Sequence, residues 1–193
     1  MSQTVNKIKK TALFYISKYG YEGTTLKDIA QKVGIKTPSI YSHFNSKEQL
    51  FLSIIKDLKL KERESLMKLV LELRKKPIDE VIRAFFYFYT DSNNIASWQI
   101  ILKQILMHPP ASLLQILRKD FEELEKEISI QLSEFFQIGR EEGWIKNEDT
   151  EQLISLFFTL IDGLLVEQNL YDSEKYEQRR EEVWNLYRDF ISQ

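Results

Sequence analysis

The sequence predicts an all-α protein in two parts: an N-terminal three-helix domain of helix-turn-helix type at residues 1–50, joined by a long helix to a C-terminal helical domain at residues 51–193. Three observations carry that expectation. Apolar residues recur at spacings of three and four through most segments, and few segments alternate with period two. Only 6 Gly and 4 Pro punctuate the 193 residues. The punctuation that does occur falls where helices should start and stop.

Residues 7–19 place Ile8, Ala12, Tyr15, Ile16 and Tyr19 on one helical face, and Gly20 and Gly23 end it. Leu26, Ile29, Ala30 and Val33 define the next helix. Thr25 stands at its N-cap position, and Asp28, three residues on, completes a capping-box-like pair. Gly34 ends it where a left-handed conformation is cheap for glycine. Thr37 is placed to cap a third helix with Pro38 at its first position, ending near Phe44 after about two turns. Ser46 and Gln49 form a capping box for a long helix that reaches Leu73, carrying Leu50, Phe51, Ile54, Ile55 and Leu58. The tight middle turn with its glycine matches a helix-turn-helix.

Beyond Lys76 the signals are coarser. Pro77 opens a helix to Thr90, "SNN" interrupts, another helix runs to Met107, and "HPP" breaks the chain. A long helix over 110–142, the turn region "EEGWIKNED", and helices over 150–171 and 174–191 complete the pattern.

Charge is divided unevenly. Residues 1–50 hold eight Lys, three acids and no Arg, a net of +5; the other 19 basic and 26 acidic residues leave 51–193 at −7. A basic first quarter on an acidic body points to one end meeting a polyanion. The absence of cysteine excludes disulfides, thiolate metal sites and a cysteine nucleophile, and fits a reducing compartment. There is no His–Glu metal motif and no phosphate-cradling glycine loop, and His43 and His108 are the two histidines. Neither an enzyme, a cofactor nor a metal is therefore expected. No signal-peptide pattern opens the sequence, and no apolar run approaches the roughly 18 residues of a membrane span. The expectation is a cytoplasmic protein with no membrane partner.

The stretch "GIKTPSIYSHFNSKEQL" (34–50) poses the functional question. On a helical wheel Ile40 and Phe44 point one way, Pro38, Ser39 and Ser42 the other, with Thr37 at the start and Tyr41 and His43 flanking. A helix this short cannot stand alone in water, so its inner face must be anchored and its outer face is free to touch something. Hydroxyls, an imidazole and the leading Lys36 can reach base edges and phosphates in a major groove.

"TTLKDIAQKVGIKTPSIYSHFNSKEQL" resembles the DNA-binding signature of the TetR family of bacterial transcriptional regulators. The resemblance rests on Thr25, Asp28-Ile29-Ala30, Gly34, Ile40-Tyr41, His43-Phe44 and Ser46-Lys47-Glu48 with Leu50, and covers roughly residues 8–55. It implies that 25–33 and 37–44 form the helix-turn-helix. Lys36, Thr37, Ser39 and Ser42 would then approach bases, Thr25, Tyr41, His43 and Lys47 would hold phosphates, and Pro38 would belong to the same DNA-binding set. It further implies a homodimer on a palindromic operator in double-stranded DNA, repression, and release when a small molecule enters the C-terminal domain. Residues 1–62 contain no Arg, so the bidentate arginine–guanine contact is unavailable here and phosphate contacts should supply much of the affinity.

In the C-terminal domain "FFYFY" (85–89) is the conspicuous run. Ile78, Val81, Ile82, Phe85, Phe88 and Tyr89 form the expected buried face, while Phe86 and Tyr87 lie off it. The run serves either core packing or an aromatic pocket for an apolar ligand; the candidate lining is Phe85, Phe86, Tyr89, Trp98, Phe135 and Phe158. The last two helices carry more apolar surface than one core face needs. Leu153, Phe157, Leu160, Ile161, Leu164, Trp184, Tyr187 and Ile191 are the candidate dimer interface. The rival to a ligand-responsive DNA-binding repressor is a helical protein-interaction or ligand-sequestering module, which the polar face at Lys36–His43 disfavours.

Overall fold

The computed structural model describes residues 3–91, 105 and 109–192. Among these residues there are helices and no strands: α1 (Gln3–Tyr19), α2 (Leu26–Val33), α3 (Thr37–Tyr41), α4 (Lys47–Leu73), α5 (Ile78–Thr90), a 3-10 turn (Ala111–Leu113), α6 (Leu114–Glu141), α7 (Thr150–Glu167) and α8 (Ser173–Ser192). No described helix is long and apolar enough to cross a membrane. Most of the expected helix ending at Met107, and the expected pocket residue Trp98, lie outside the described residues. Contacts divide the chain into two compact units, residues 1–65 with 98–120 and residues 66–97 with 121–193. The division thus falls beyond residue 50, inside α4.

The first unit is built by α1, α2, α3 and the start of α4. Ile8 and Ala12 of α1, Ile29 and Ala30 of α2, Ile40 of α3, and Leu50, Phe51, Ile54 and Ile55 of α4 are all buried. Each set recurs at helical spacing, so each helix contributes one face and keeps the other in water. Lys59, itself buried, pairs with Asp120 at 2.6 Å within the same unit.

The second unit holds an aromatic core. Phe157 on α7 lies 6.1–6.3 Å from the rings of Phe85, Phe86, Tyr89 and Tyr187. Phe86 meets Trp184 of α8 at 5.5 Å, and Phe85 meets Phe135 of α6 at 5.4 Å. The face of α5 differs from expectation: Phe86 is fully buried, whereas Phe88 and Tyr89 are half-buried. The cause is that both α7 and α8 pack on α5, so the buried arc turns toward Phe86. Helix α7 also stops four residues early, at Glu167. The chain then closes through turn bonds such as Leu170 N–H to Glu167 O (2.9 Å), and Asp172 caps α8 by accepting from Lys175 N–H (2.9 Å).

Charge is buried here too. Arg180 on α8 is 6% exposed; it pairs with Asp91 at 3.4 Å, with Glu177, and lies over the Tyr87 ring at 4.5 Å. Tyr176 donates to Thr90 O at 2.6 Å, and burial pushes its phenol up to about 12. These contacts fasten the last turn of α5 to α8.

Replacing Phe157 with Ala removes the ring that Phe85, Phe86, Tyr89 and Tyr187 share. The expected loss is about 3–5 kcal/mol of stability, read as a lower urea midpoint.

Candidate nucleic-acid interface

The interface is assembled from three helix starts. Thr25 sits at the N-cap of α2 in extended geometry (φ −116°, ψ 152°) and accepts the Asp28 N–H at 3.2 Å, while its hydroxyl donates to the Asp28 carboxylate. Both hydrogen-bonding functions of Thr25 therefore serve the cap. At the other end Gly34 adopts φ 81°. Ile35 N–H then reaches Ala30 O at 3.0 Å and Gly34 N–H reaches Gln31 O at 3.2 Å, a Schellman closure that a side chain at position 34 would strain. Three residues later α3 begins.

Helix α3 is shorter than the spacing predicts and starts one residue earlier. Its N-cap is Lys36, without a side-chain cap bond; Thr37 is already in the helix, half-buried, and Pro38 follows in the first turn, where the missing N–H costs nothing. Regular helix ends at Tyr41. Beyond it His43 N–H bonds to Ile40 O at 2.9 Å, a tightened turn that swings Phe44 into the core. Ile40 has no exposed surface. Lys36, Pro38, Ser39, Tyr41, Ser42 and His43 are exposed on the opposite side, with Tyr41 at 52%. Six of the seven residues expected from Lys36 to His43 thus share one open surface, with Ser42 Oγ donating to Ser39 O at 2.8 Å.

Helix α4 is started by Ser46, whose hydroxyl accepts Gln49 N–H at 3.0 Å. The reciprocal bond of the capping box is displaced by one residue: Gln49 Oε1 accepts the Asn45 N–H. Lys47 behaves differently from its neighbours. It is half-buried, and its ammonium donates to Tyr21 O at 2.8 Å and Thr24 O at 3.1 Å while lying 4.1 Å from the Tyr21 ring centre. Other lysines of the basic segment are likewise tied into the fold. Lys7 donates to Val33 O at 3.1 Å, and Lys9 pairs with Asp57 at 2.8 Å. The sequence held a signal for Lys47 that spacing alone did not exploit. A cation in the first turn of a helix opposes the dipole and needs acceptors nearby.

The expected sites of the C-terminal domain fare unequally. Phe85, Phe86, Tyr89 and Phe135 come together, and Phe158 joins through Phe157 at 5.8 Å. Of the expected dimer residues, Leu153, Phe157, Ile161, Leu164, Trp184, Tyr187 and Ile191 are buried within the single chain. Phe157, Trp184 and Tyr187 meet the rings of α5. Of that set only Leu160 stays half-exposed. Further apolar surface left open on these helices includes Val166 (40% exposed) and Leu186 (71%), with Ile154, Leu156, Leu165, Val183 and Phe190 half-buried.

Residues 8–54 match the family profile described as bacterial regulatory proteins, tetR family. Along nearly its whole length the chain is similar to the biofilm operon icaADBC HTH-type negative transcriptional regulator IcaR of Staphylococcus aureus (strain Newman), at 27% identity over 96% of this chain and 98% of that one. The fold is shared with a TetR transcriptional regulator from Chloroflexus aurantiacus J-10-FL (TM-score 0.77, 22% identity, 99% of this chain and 95% of that one). It is shared too with the fatty acid degradation regulator FadR from Bacillus halodurans (TM-score 0.73, 20% identity, 97% and 95%).

Thr25→Ala deletes the α2 cap while leaving its apolar face intact. The expected cost is about 1 kcal/mol, measurable as a lowered denaturation midpoint with unchanged helix content in the folded baseline.

Proposed function

We propose that this chain, a member of the TetR family of bacterial regulatory proteins, is a cytoplasmic homodimeric repressor that binds a palindromic operator and releases it when a small, largely apolar effector enters the C-terminal domain. Members of this family are DNA-binding transcriptional regulators, not enzymes. The observation that carries the operator reading is the open face of α3. Ile40 and Phe44 hold the helix from behind, and Lys36, Pro38, Ser39, Tyr41, Ser42 and His43 face outward. Such a face offers donors to base edges and phosphates. It exposes no Leu, Ile, Val or Met, which a protein-binding face of a helix would need. Repression is supported by the negative regulator IcaR, to which nearly the whole chain is similar.

The dimer reading rests on the second unit. Arg179 of α8 pairs with Glu167 of α7 at 3.3 Å, so the flanks bearing these residues lie side by side. On those flanks stand Leu160 of α7, and Val183, Leu186 and Phe190 of α8. Two such helix pairs would cover this apolar strip about a twofold axis. Tyr89 and Phe158, half-buried at the edge of the ring cluster, are the contacts we assign to an apolar effector, with Phe85, Phe86 and Phe135 behind them. Effector binding shifts the population toward an arrangement whose two reading helices no longer match half-sites about one turn apart.

Leu186→Glu should convert the dimer to a monomer at micromolar concentration by light scattering, with unchanged helical circular dichroism. For the operator, duplexes selected from a random pool by the full chain and titrated by fluorescence anisotropy provide the test. Log K should fall with log salt by roughly 0.9 per phosphate neutralised, a steep slope because no arginine is available in residues 1–62 to supply base contacts. Failure to enrich any duplex, or binding indifferent to salt, would overturn the reading.

A further inference from the structure

We propose that Lys47 is a positioning residue for operator binding: its ammonium acts through the α1–α2 loop, setting Thr25 and the first turn of α2 against the phosphate backbone, rather than as a phosphate ligand of its own. The inference rests on the DNA-binding reading above and names a different role for one of its residues.

The geometry is that of a cross-tie. Lys47 begins α4, yet its side chain runs back to the loop between Gly20 and Thr25. There it gathers two carbonyls, Tyr21 O at 2.8 Å, which also accepts the Thr24 N–H at 3.2 Å, and Thr24 O at 3.1 Å. An ammonium has three donors on a flexible stem, which suits it to collecting acceptors from an irregular loop. The Tyr21 ring supplies a third wall, with its centre 4.1 Å from Nζ, and is itself seated edge-on against the buried Phe51 at 4.8 Å. Glu22 lies at 4.0 Å from the same ammonium. The loop is braced internally as well: the buried Thr24 donates through Oγ1 to Gly20 O at 2.8 Å.

Thr24 is the residue immediately before the α2 cap. Its carbonyl is therefore held by Lys47 from one side while Thr25, next in sequence, fixes the α2 start through Asp28. Two of the three ammonium donors are spent on this loop, and only a quarter of the Lys47 side chain is exposed. A group so committed conveys position more than charge. Without it the loop carbonyls turn toward water, and the α2 start loses the tie that relates it to α4.

Direct contact and positioning differ in their salt signature. A lysine that neutralises a phosphate takes roughly 0.9 from the salt slope for each half-site when removed. A positioning lysine weakens binding and leaves the slope alone. The experiment uses the full chain and the selected duplex, titrated between about 50 and 200 mM salt, with Lys47→Gln, Thr25→Ala and the double variant. Lys47→Gln should weaken binding by about tenfold with an unchanged slope, the range expected when hydrogen bonds to a charged group are lost. In the Thr25→Ala background the same change should weaken it by less than about twofold, because the residue it acts through is already altered. A merely structural lysine would instead weaken binding equally in both backgrounds. If Lys47→Gln does not fold, Lys47→Met keeps the stem against Tyr21 and is read the same way. A slope reduced in step with the lost charge, or additive effects in the two backgrounds, overturns the positioning role alone. If the unmutated chain enriches no duplex, the regulator reading falls and this inference falls with it.

Discussion

Everything at the DNA-facing end depends on two side chains pointing away from it. Helix α3 has five residues, far too few to repay its own nucleation in water. It exists because Ile40 and Phe44 are buried against the rest of the first unit, each worth about 1.5–3 kcal/mol of burial. That anchoring frees the outer side from any duty to the fold. Lys36, Ser39, Tyr41, Ser42 and His43 can then be chosen for what they touch rather than for what they hold up. The same constraint explains the turn before α3. Gly34 reverses the chain in the left-handed region, and the Schellman closure sets where α3 begins.

The basic charge of residues 1–50 is only partly a surface property. Lys7 closes the carbonyl end of α2 through Val33 O, where a cation is also favoured by the helix dipole. Lys9 joins α1 to α4 through Asp57 and the Ser53 carbonyl. Lys47 gathers the α1–α2 loop. A net of +5 counted along the sequence therefore overstates what is free to meet phosphates. Part of that charge has been turned inward, onto carbonyls and carboxylates at the seams between helices. Lysine suits this use because its stem bends and its donors have no fixed plane.

Features governed by neighbours in sequence were legible before the structure. Thr25 with Asp28, Gly34, Ser46 with Gln49, and Pro77 all act within four residues, and each stands where its local chemistry put it. The open face of Lys36–His43 was legible for the same reason, since two inward apolar residues fix the wheel. What depended on distant partners was not. Thr37 looked like a cap because it precedes Pro38, yet the helix takes it in. The buried arc of α5 included Phe86 rather than Phe88, because α7 and α8 both lean on that side. On α7 the rows through Leu153 and Ile154 were equally apolar, and periodicity gives the angle between rows without saying which one the subunit keeps. The fold of the single chain buries Leu153, Phe157, Ile161 and Leu164 and leaves Leu160 half-exposed.

That partition constrains how the second unit could respond to the effector proposed above. The rings of α5, α6, α7 and α8 form one continuous contact from Phe135 through Phe85 and Phe157 to Tyr187. A molecule entering beside Tyr89 and Phe158 would meet the edge of this continuous contact first. The last turn of α5 is the part least able to move alone. It is fastened to α8 by Tyr176 on Thr90 O and by Arg180 on Asp91, and breaking a buried charge pair typically costs about 3–5 kcal/mol. A displaced α5 is cheaper to accommodate if α8 moves with it. Helix α8 also carries Leu186, so a response that starts among the rings reaches the open apolar strip through a single rigid helix.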